Sequence, residues 1–194
     1  MVTGPKKIRV FIALQPPSEW IKQLGGLQAS LKKELRAREI KWLQLEQIHI
    51  TLRFFGYILP QEVQLIGAAM NRVAAETEPF TIFATGLGCF PSLRRPRVLW
   101  VGVEDRGVTK LQAGITKETR TIGEKPEDRP FSPHLTLARI KDLPREEGKV
   151  LEGMRTIKLS PEWRVTELLL MQSHLSSAGA RYEIIHSAPL AAKQ

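Results

Sequence analysis

Apolar and polar positions along this chain recur in patterns that sort most of it into strands and helices. From Ile8 to Leu14 the run is almost wholly apolar and stops at Gln15-Pro16-Pro17, which predicts a buried first strand. Pro16-Pro17-Ser18 reads as a helix entry. Trp20, Leu24, Leu27, Leu31 and Leu35 then recur at helical spacing up to Arg36 and Arg38, with Gly25-Gly26 weakening the helix but leaving its stripe intact. Trp42 to Leu45 predicts a short extended segment. It leads through Glu46-Gln47 into a strand that Gly56 is expected to end. Leu59-Pro60 opens a second helix with Val63, Ile66, Met70 and Val73 on its buried face.

Phe80 to Leu87 and Arg97 to Val103 predict paired strands, joined by a turn-prone loop from Gly88 to Pro96. A third helix is expected over about Gly107 to Ile122, with Val108, Leu111, Ile115 and Ile122 in register. Gly123 to Pro130 is polar and punctuated by Pro126, hence a mobile surface loop. Phe131-Ser132-Pro133 feeds another strand, Pro144 to Met154 predicts a short helix, and strands at Trp163 to Gln172 and Arg181 to His186 close the chain. The order strand, helix, strand is similar on either side of about residue 90, which suggests an internal pseudo-repeat. Strands interleaved with three good helices, and no Gly-rich phosphate loop after any strand, point to an α+β fold rather than a doubly wound sheet. We expect one domain over residues 1–194, made of two interleaved lobes whose sheets face each other across a cleft.

Composition changes this picture in three ways. The net charge of +9, from 29 basic and 20 acidic residues, favours a polyanionic partner such as nucleic acid. Cys89 is the only cysteine, which rules out an internal disulfide and a cysteine-built zinc site and fits a reducing cytoplasm. The basic and apolar start imitates a signal peptide, but its apolar run ends too soon, and no stretch is long enough for a membrane span. A soluble cytoplasmic protein, with no membrane association, is expected.

The candidate chemistry lies in a tetrapeptide that occurs twice, His49-Ile50-Thr51-Leu52 and His134-Leu135-Thr136-Leu137, each followed within a few residues by arginine. In a strand, positions i and i+2 share a face, so each copy presents an imidazole and a hydroxyl together while its two apolar residues face a core. Two imidazoles from separate halves of a chain can divide proton transfer at a phosphate, one accepting from the attacking oxygen and the other donating to the leaving oxygen. The threonine hydroxyls can donate to the non-bridging oxygens. One such motif alone is usually an ordinary strand histidine. Here two of only four histidines share the context, which singles them out.

The text around both copies carries a resemblance. Trp42-Leu43-Gln44-Leu45-Glu46-Gln47-Ile48-His49-Ile50-Thr51-Leu52-Arg53-Phe54-Phe55-Gly56, then Gly88-Cys89-Phe90-Pro91 with Arg95-Pro96-Arg97-Val98-Leu99-Trp100, and Phe131-Ser132-Pro133-His134-Leu135-Thr136-Leu137-Ala138-Arg139 resemble the 2H phosphoesterase superfamily, specifically the RNA 2′,3′-cyclic phosphodiesterases, also called the 2′-5′ RNA ligase family. The resemblance runs from Val10 to about Leu190. It implies a bilobal α+β fold, two antiparallel-rich sheets with outer helices, pseudo-twofold symmetry about a central cleft, and no metal or other cofactor. It further implies opening of a terminal RNA 2′,3′-cyclic phosphate to a 2′-phosphomonoester, with 2′-5′ ligation as a second activity. His49 would be the proton donor and His134 the acceptor, with Thr51, Thr136 and Arg139 binding phosphate. The implied partner is RNA with a cyclic phosphate end, tRNA-derived ends included, and a monomer is expected.

Other residues compete for attention. Ser173-His174-Leu175-Ser176 is almost a third copy, but it runs into Ser177-Ala178-Gly179 and reads as a loop between the last strands. His186 reads as structural or exposed. A metal held by His49 and His134 would need further ligands, and neither motif has an acidic neighbour in its strand. Arg94, Arg95 and Arg97 read equally as a grip on RNA or as a solvated hairpin tip. Phe54, Phe90, Trp42 and Trp100 are candidates for base stacking, against the commoner role of core residues. Cys89 reads as a small buried apolar residue. The rival functions are a phosphodiesterase for a small cyclic nucleotide, an ADP-ribose cyclic phosphate or a 2′-5′ oligoadenylate, and a non-catalytic basic RNA-binding module.

Overall fold

The first apolar run forms β1 (Ile8–Leu14), and the stripe after Pro17 forms α1 (Ser18–Glu34). There follow β2 (Ile40–Trp42), β3 (Ile50–Ile58), α2 (Glu62–Ala75), β4 (Phe80–Ile82), β5 (Ala84–Ser92), β6 (Arg95–Val103) and α3 (Val108–Glu118). The chain continues with β7 (His134–Ile140), β8 (Trp163–Val165), β9 (Glu167–Ser176) and β10 (Gly179–Pro189). The computed structural model describes residues 5–35, 39–144, 149, 151, 157–177 and 179–191. Most of the helix expected from Pro144 to Met154 lies outside the described residues.

Two four-stranded sheets result, in the orders β10-β9-β1-β3 and β2-β7-β6-β5, with β4 and β8 as a separate small pair. Every pairing is antiparallel, so the fold is α+β as expected. One continuous core joins both sheets, with Val10, Ile12 and Leu14 from the first and Leu99, Val101, Leu135 and Leu137 from the second. Helix α2 packs on β9 and β10, and α3 on β3 and α2. On α1 the buried Gln28 donates to the carbonyls of Leu43 and Leu137, both at 3.0 Å, and so ties that helix to β7. A buried amide with two acceptors is satisfied and holds its helix in register.

Several boundaries move. The extended segment predicted at Trp42 to Leu45 lies earlier, at Ile40–Trp42, because Leu45–Gln47 closes a 3-10 turn in which the Gln47 side chain accepts from the Gln44 N–H at 3.2 Å. Gly56 does not end β3. Its φ of +67° makes an irregularity that glycine tolerates, and the strand runs on to Ile58, which is buried opposite Ile8. The strand predicted from Phe80 to Leu87 is divided between two sheets, since β4 pairs with β8 and β5 with β6; likewise the segment from Trp163 to Gln172 divides into β8 and β9. Partner choice makes these breaks, and periodicity does not register it. The loop expected from Gly88 to Pro96 is mostly hairpin, turning at Leu93-Arg94, with Pro91 and Pro96 opposite each other where no ladder hydrogen bond needs their missing N–H. Helix α3 stops before Thr119, whose buried hydroxyl donates to the Ile115 carbonyl at 2.6 Å. His174 lies within β9 and not in a loop, because β9 and β10 stay paired as far as Ser176 and Gly179.

The segment from Gly123 to Pro130 has no regular structure but is tethered where it starts. Arg53, almost fully buried, donates to the carbonyls of Ile122 at 3.3 Å and Glu124 at 2.5 Å, and the Glu124 N–H donates to the Phe55 carbonyl at 2.8 Å. Gly123 has a φ of +65°, and a Cβ there would run into the Phe55 carbonyl oxygen. Gly123→Ala is therefore expected to cost about 1–3 kcal/mol through strain and displacement of the loop. Urea unfolding should show a lower midpoint at unchanged slope, and an unchanged midpoint would refute the account.

Candidate functional site

Both histidine motifs stand in strands that bury one face, and both strands carry a one-residue bulge in the same place. In β7 the register passes from Thr136 opposite Trp100 to Ala138 opposite Leu99, so Leu137 is extra. In β3 it passes from Thr51 opposite Ala13 to Arg53 opposite Ile12, so Leu52 is extra. A bulge shifts the alternation by one. Without it, Arg139 would fall on the core face, three positions from Thr136. With it, Arg139 pairs with Val98, which shares a face with Trp100 and Gly102, the partners of Thr136 and His134. His134, Thr136 and Arg139 thus share one face. The carbonyl of the extra Leu137 accepts both from Gln28 and from the Leu43 N–H, which holds the bulge open.

The same device acts differently in the first motif. Phe54 takes the place that Arg139 has in the second, on the face of Thr51, while Arg53 is turned away and buried under the Glu124 segment. The arginines that follow the two motifs in sequence therefore diverge in structure.

Each histidine is tethered alike. Nδ1 of His49 lies 2.7 Å from the Gln47 carbonyl and Nδ1 of His134 lies 2.7 Å from the Ser132 carbonyl, in both cases two residues earlier. A carbonyl oxygen only accepts, so each Nδ1 carries its proton and Nε2 is the nitrogen left to exchange one. His49 stacks on Phe11 at 4.7 Å between ring centroids and meets the Tyr182 ring edge-on at 5.3 Å. His134 meets Phe90 edge-on at 4.9 Å and lies 6.2 Å from the Trp100 ring.

These surroundings withhold water, and the imidazolium form suffers. Burial lowers the His49 pKa from 6.5 to about 4 against the stabilising bond to the Gln47 carbonyl, and the neighbouring charge of His134 lowers it further. Burial likewise lowers the His134 pKa, opposed by the Ser132 carbonyl. Tyr182, the ring that packs on His49, is pushed up by burial, with the charges of Arg9 and Arg139 pulling it down.

Beside the rings lies a cavity of about 420 Å³, lined by Thr51 and Phe54 from the first sheet, Phe90 and His134 from the second, and the Glu124–Phe131 segment as a third wall. His49, Thr136 and Arg139 do not line it; Thr136 and Arg139 share the face of His134 on β7, and His49 stacks on Phe11, the strand partner of the lining residue Phe54. Of the proposed stacking residues, Phe54 and Phe90 line the cavity and Trp100 packs on Phe90 at 5.0 Å, whereas Trp42 belongs to the core edge, with the Lys32 ammonium over its ring at 5.5 Å. Arg94, Arg95 and Arg97 are exposed at the hairpin, Arg97 donating to the Lys141 carbonyl. His174 bonds Glu183 at 2.9 Å and His186 bonds Asn71 at 3.1 Å, outside the site. Cys89 is buried and its thiol pKa is pushed up to about 11 by burial. Among the described residues, no three His, Cys, Asp or Glu side chains are grouped to hold a metal. No helix there is long and apolar enough to cross a membrane.

Sequence reasoning missed Phe11 and Tyr182. Phe11 was hidden in an apolar run that reads as buried throughout, although its alternation with Val10 and Ile12 separates two faces. Tyr182 carried no local signal, since only the β9–β10 pairing brings it to His49.

Comparison with known proteins agrees with this architecture. A family model described as LigT like Phosphoesterase matches residues 14–100 and 101–182. An RNA 2′,3′-cyclic phosphodiesterase of Aquifex aeolicus is 30% identical over 171 residues, covering 84% of this chain and 89% of that protein. The protein of the same description from Methanothermobacter thermautotrophicus is 32% identical over 180 residues, covering 91% and 95%. Among solved structures, TT0787 of Thermus thermophilus superposes with a TM-score of 0.82 at 29% identity, covering 96% of this chain and 100% of that one.

Depressed histidine pKa values make stability depend on pH. Between pH 6.5 and about 4 the unfolded chain binds a proton at His49 that the folded chain refuses, so stability should fall as pH drops through that window, by on the order of 3 kcal/mol. Urea unfolding at pH 7 and pH 5 should show a smaller loss for His49→Gln than for the parent chain. Equal losses would mean that His49 is not the depressed group.

Proposed function

Because the chain belongs to the LigT-like phosphoesterase family, we propose that it is an RNA 2′,3′-cyclic phosphodiesterase that opens the terminal cyclic phosphate to a 2′-phosphomonoester. The observation that carries this reading is the pair of imidazoles, each fixed through Nδ1 and left with a free Nε2, His134 lining the cavity with Thr51 and Phe54, and His49 stacked on Phe11 of the same sheet face. Neutral His134 accepts a proton through Nε2 from the attacking water. Protonated His49 donates through Nε2 to the departing O3′. Attack at phosphorus and loss of O3′ proceed in line, so the two groups act from opposite sides. Thr51, Thr136 and Arg139 hold the non-bridging oxygens, where the pentacoordinate state concentrates charge.

Burial sets a condition on this division of labour. In the empty cleft His49 resists protonation, and the anionic phosphate supplies the counter-charge that raises its pKa on binding. The donor role of His49 thus belongs to the bound complex. With the 5′ hydroxyl of a second RNA in place of water, the same transfers join two ends through a 2′-5′ linkage, which accounts for ligation as a secondary activity. The +9 charge supports an RNA substrate, tRNA-derived ends within that class, and the lone cysteine supports a reducing cytoplasm. Both histidines come from one chain, so the cleft needs no partner copy, which supports a monomer.

His49→Ala and His134→Ala are each expected to lower kcat on an RNA oligonucleotide with a 2′,3′-cyclic end by about two to four orders of magnitude, with RNA affinity falling only modestly. Equal loss of binding and turnover would instead favour a non-catalytic RNA-binding role. Arg139→Ala should lower kcat by about a hundredfold, as for loss of one oxyanion donor. A chelator should leave turnover intact. The product should be the 2′-phosphomonoester, and a strong preference for a mononucleoside cyclic phosphate would favour the small-substrate alternative.

The pH profile should be bell-shaped, since one imidazole must be neutral and the other charged. Both pKa values are depressed in the free protein, so the kcat/KM optimum should lie on the acid side of the kcat optimum, where bound phosphate has raised them. Coincident optima would count against the phosphate-assisted protonation of His49.

A further inference from the structure

One row of side chains crosses the first sheet on the face that carries Phe11 and Phe54. Arg9 pairs with Tyr57 on β3, and its Nη1 donates to Ser173 on β9 at 3.1 Å; Ser173 in turn pairs with Tyr182 on β10. Alternation along β1 sets Arg9 with Phe11 and Ala13, opposite Val10 and Ile12 in the main core. The guanidinium lies over the Phe54 ring, 4.4 Å from its centroid. Phe54 lines the cavity together with Thr51 and His134.

Two features of this row ask for a ligand. Among the described residues Arg9 makes no ion pair with a carboxylate, although a buried hydroxyl and an aromatic face hold its guanidinium in place. Tyr57 beside it is 58% exposed, an aromatic ring left open to solvent on a sheet surface. A fixed, unpaired guanidinium next to an open ring matches what single-stranded RNA offers, a phosphate alternating with a stackable base. The comparison of the two motifs points the same way. Where the second sheet places Arg139, the first places Phe54, and the cation on that side comes from the neighbouring strand as Arg9 stacked on Phe54.

We propose that Arg9 and Tyr57 form a subsite for the RNA on the 5′ side of the cyclic end, Arg9 pairing with an upstream phosphate and Tyr57 stacking an upstream base. The proposal deepens the cyclic phosphodiesterase reading and, for its catalytic consequences, rests on it. It makes this row the element that distinguishes an RNA end from a mononucleoside cyclic phosphate, which has no upstream residue to place there. The electrostatic influence of Arg9 on Tyr182, the ring that packs on His49, agrees with continuity between subsite and cleft.

The test compares a short RNA oligonucleotide ending in a 2′,3′-cyclic phosphate with a mononucleoside 2′,3′-cyclic phosphate. Arg9→Gln should raise KM for the oligonucleotide about tenfold with kcat little changed, the scale of one charged hydrogen bond, and leave the mononucleoside kcat/KM within about twofold. The slope of log(kcat/KM) against log salt for the oligonucleotide should shrink by about 0.7, one phosphate contact on a single strand. Arg9→Lys should restore much of the loss. Tyr57→Ala, which removes an exposed ring and leaves folding intact, should weaken the oligonucleotide alone by about tenfold. Parallel loss on both substrates, or no loss on the oligonucleotide, would overturn the subsite. If the parent chain turns over neither substrate, the activity reading fails by itself. Fluorescence anisotropy with the same oligonucleotide bearing a plain 3′ hydroxyl then decides the subsite, which requires Arg9→Gln and Tyr57→Ala to bind more weakly than the parent and is refuted if they bind equally.

Discussion

Each motif strand has to be dry on one side and wet on the other, and that constraint governs the rest of the structure. Ile50 and Leu135 anchor their strands in the common core, which obliges Thr51, His134 and Thr136 to face away from it. Strict alternation would then send every second residue after those anchors into the core, Arg139 included. A single extra residue, Leu52 in one strand and Leu137 in the other, resets the count and brings Phe54 and Arg139 to the open face. The bulge leaves a backbone carbonyl without its ladder partner, and in β7 a buried glutamine from α1 meets it. Packing of a helix and placement of an arginine are in this way one problem with one solution.

Desolvation acts in opposite directions on fold and chemistry. The rings of Phe11, Tyr182, Phe90 and Trp100 hold the imidazoles at fixed angles, and the same apolar contacts destabilise the charged imidazolium. The carbonyls of Gln47 and Ser132 offset part of that penalty and select the tautomer. The donor role proposed for His49 asks for an anion in such a cleft, to supply the charge the walls withhold. Arg53 belongs to the same design from the opposite side. Its buried guanidinium directs its donors to two backbone carbonyls and fixes the loop that walls the cavity.

Much of the site was legible because its signal is local and repeated. His49, Thr51, His134 and Thr136 announce themselves by spacing, and β1, α1, α2 and β7 by period. What failed to show in the sequence is of one kind. The strand from Phe80 has the same alternation on both sides of Phe83, yet its halves pair with β8 and β6; His174 looks like a loop residue until β10 extends the ladder beside it. Phe11 reads as core and Tyr182 as an ordinary strand aromatic, because a single strand does not say which of its faces will meet the other sheet, while Tyr57 falls beyond the strand end expected at Gly56.

The amino-acid order by itself determined which residues can do chemistry and which face of a short strand or helix is apolar, since both follow from side-chain identity and a period of two or 3.6 residues. Tertiary structure alone decided which strands became neighbours, where a bulge shifted the phase, and how far each imidazole was removed from water. Those properties depend on contacts between residues distant in the chain, as when Gln28 meets Leu137 and Tyr182 meets His49, and no local pattern encodes a distance of that kind.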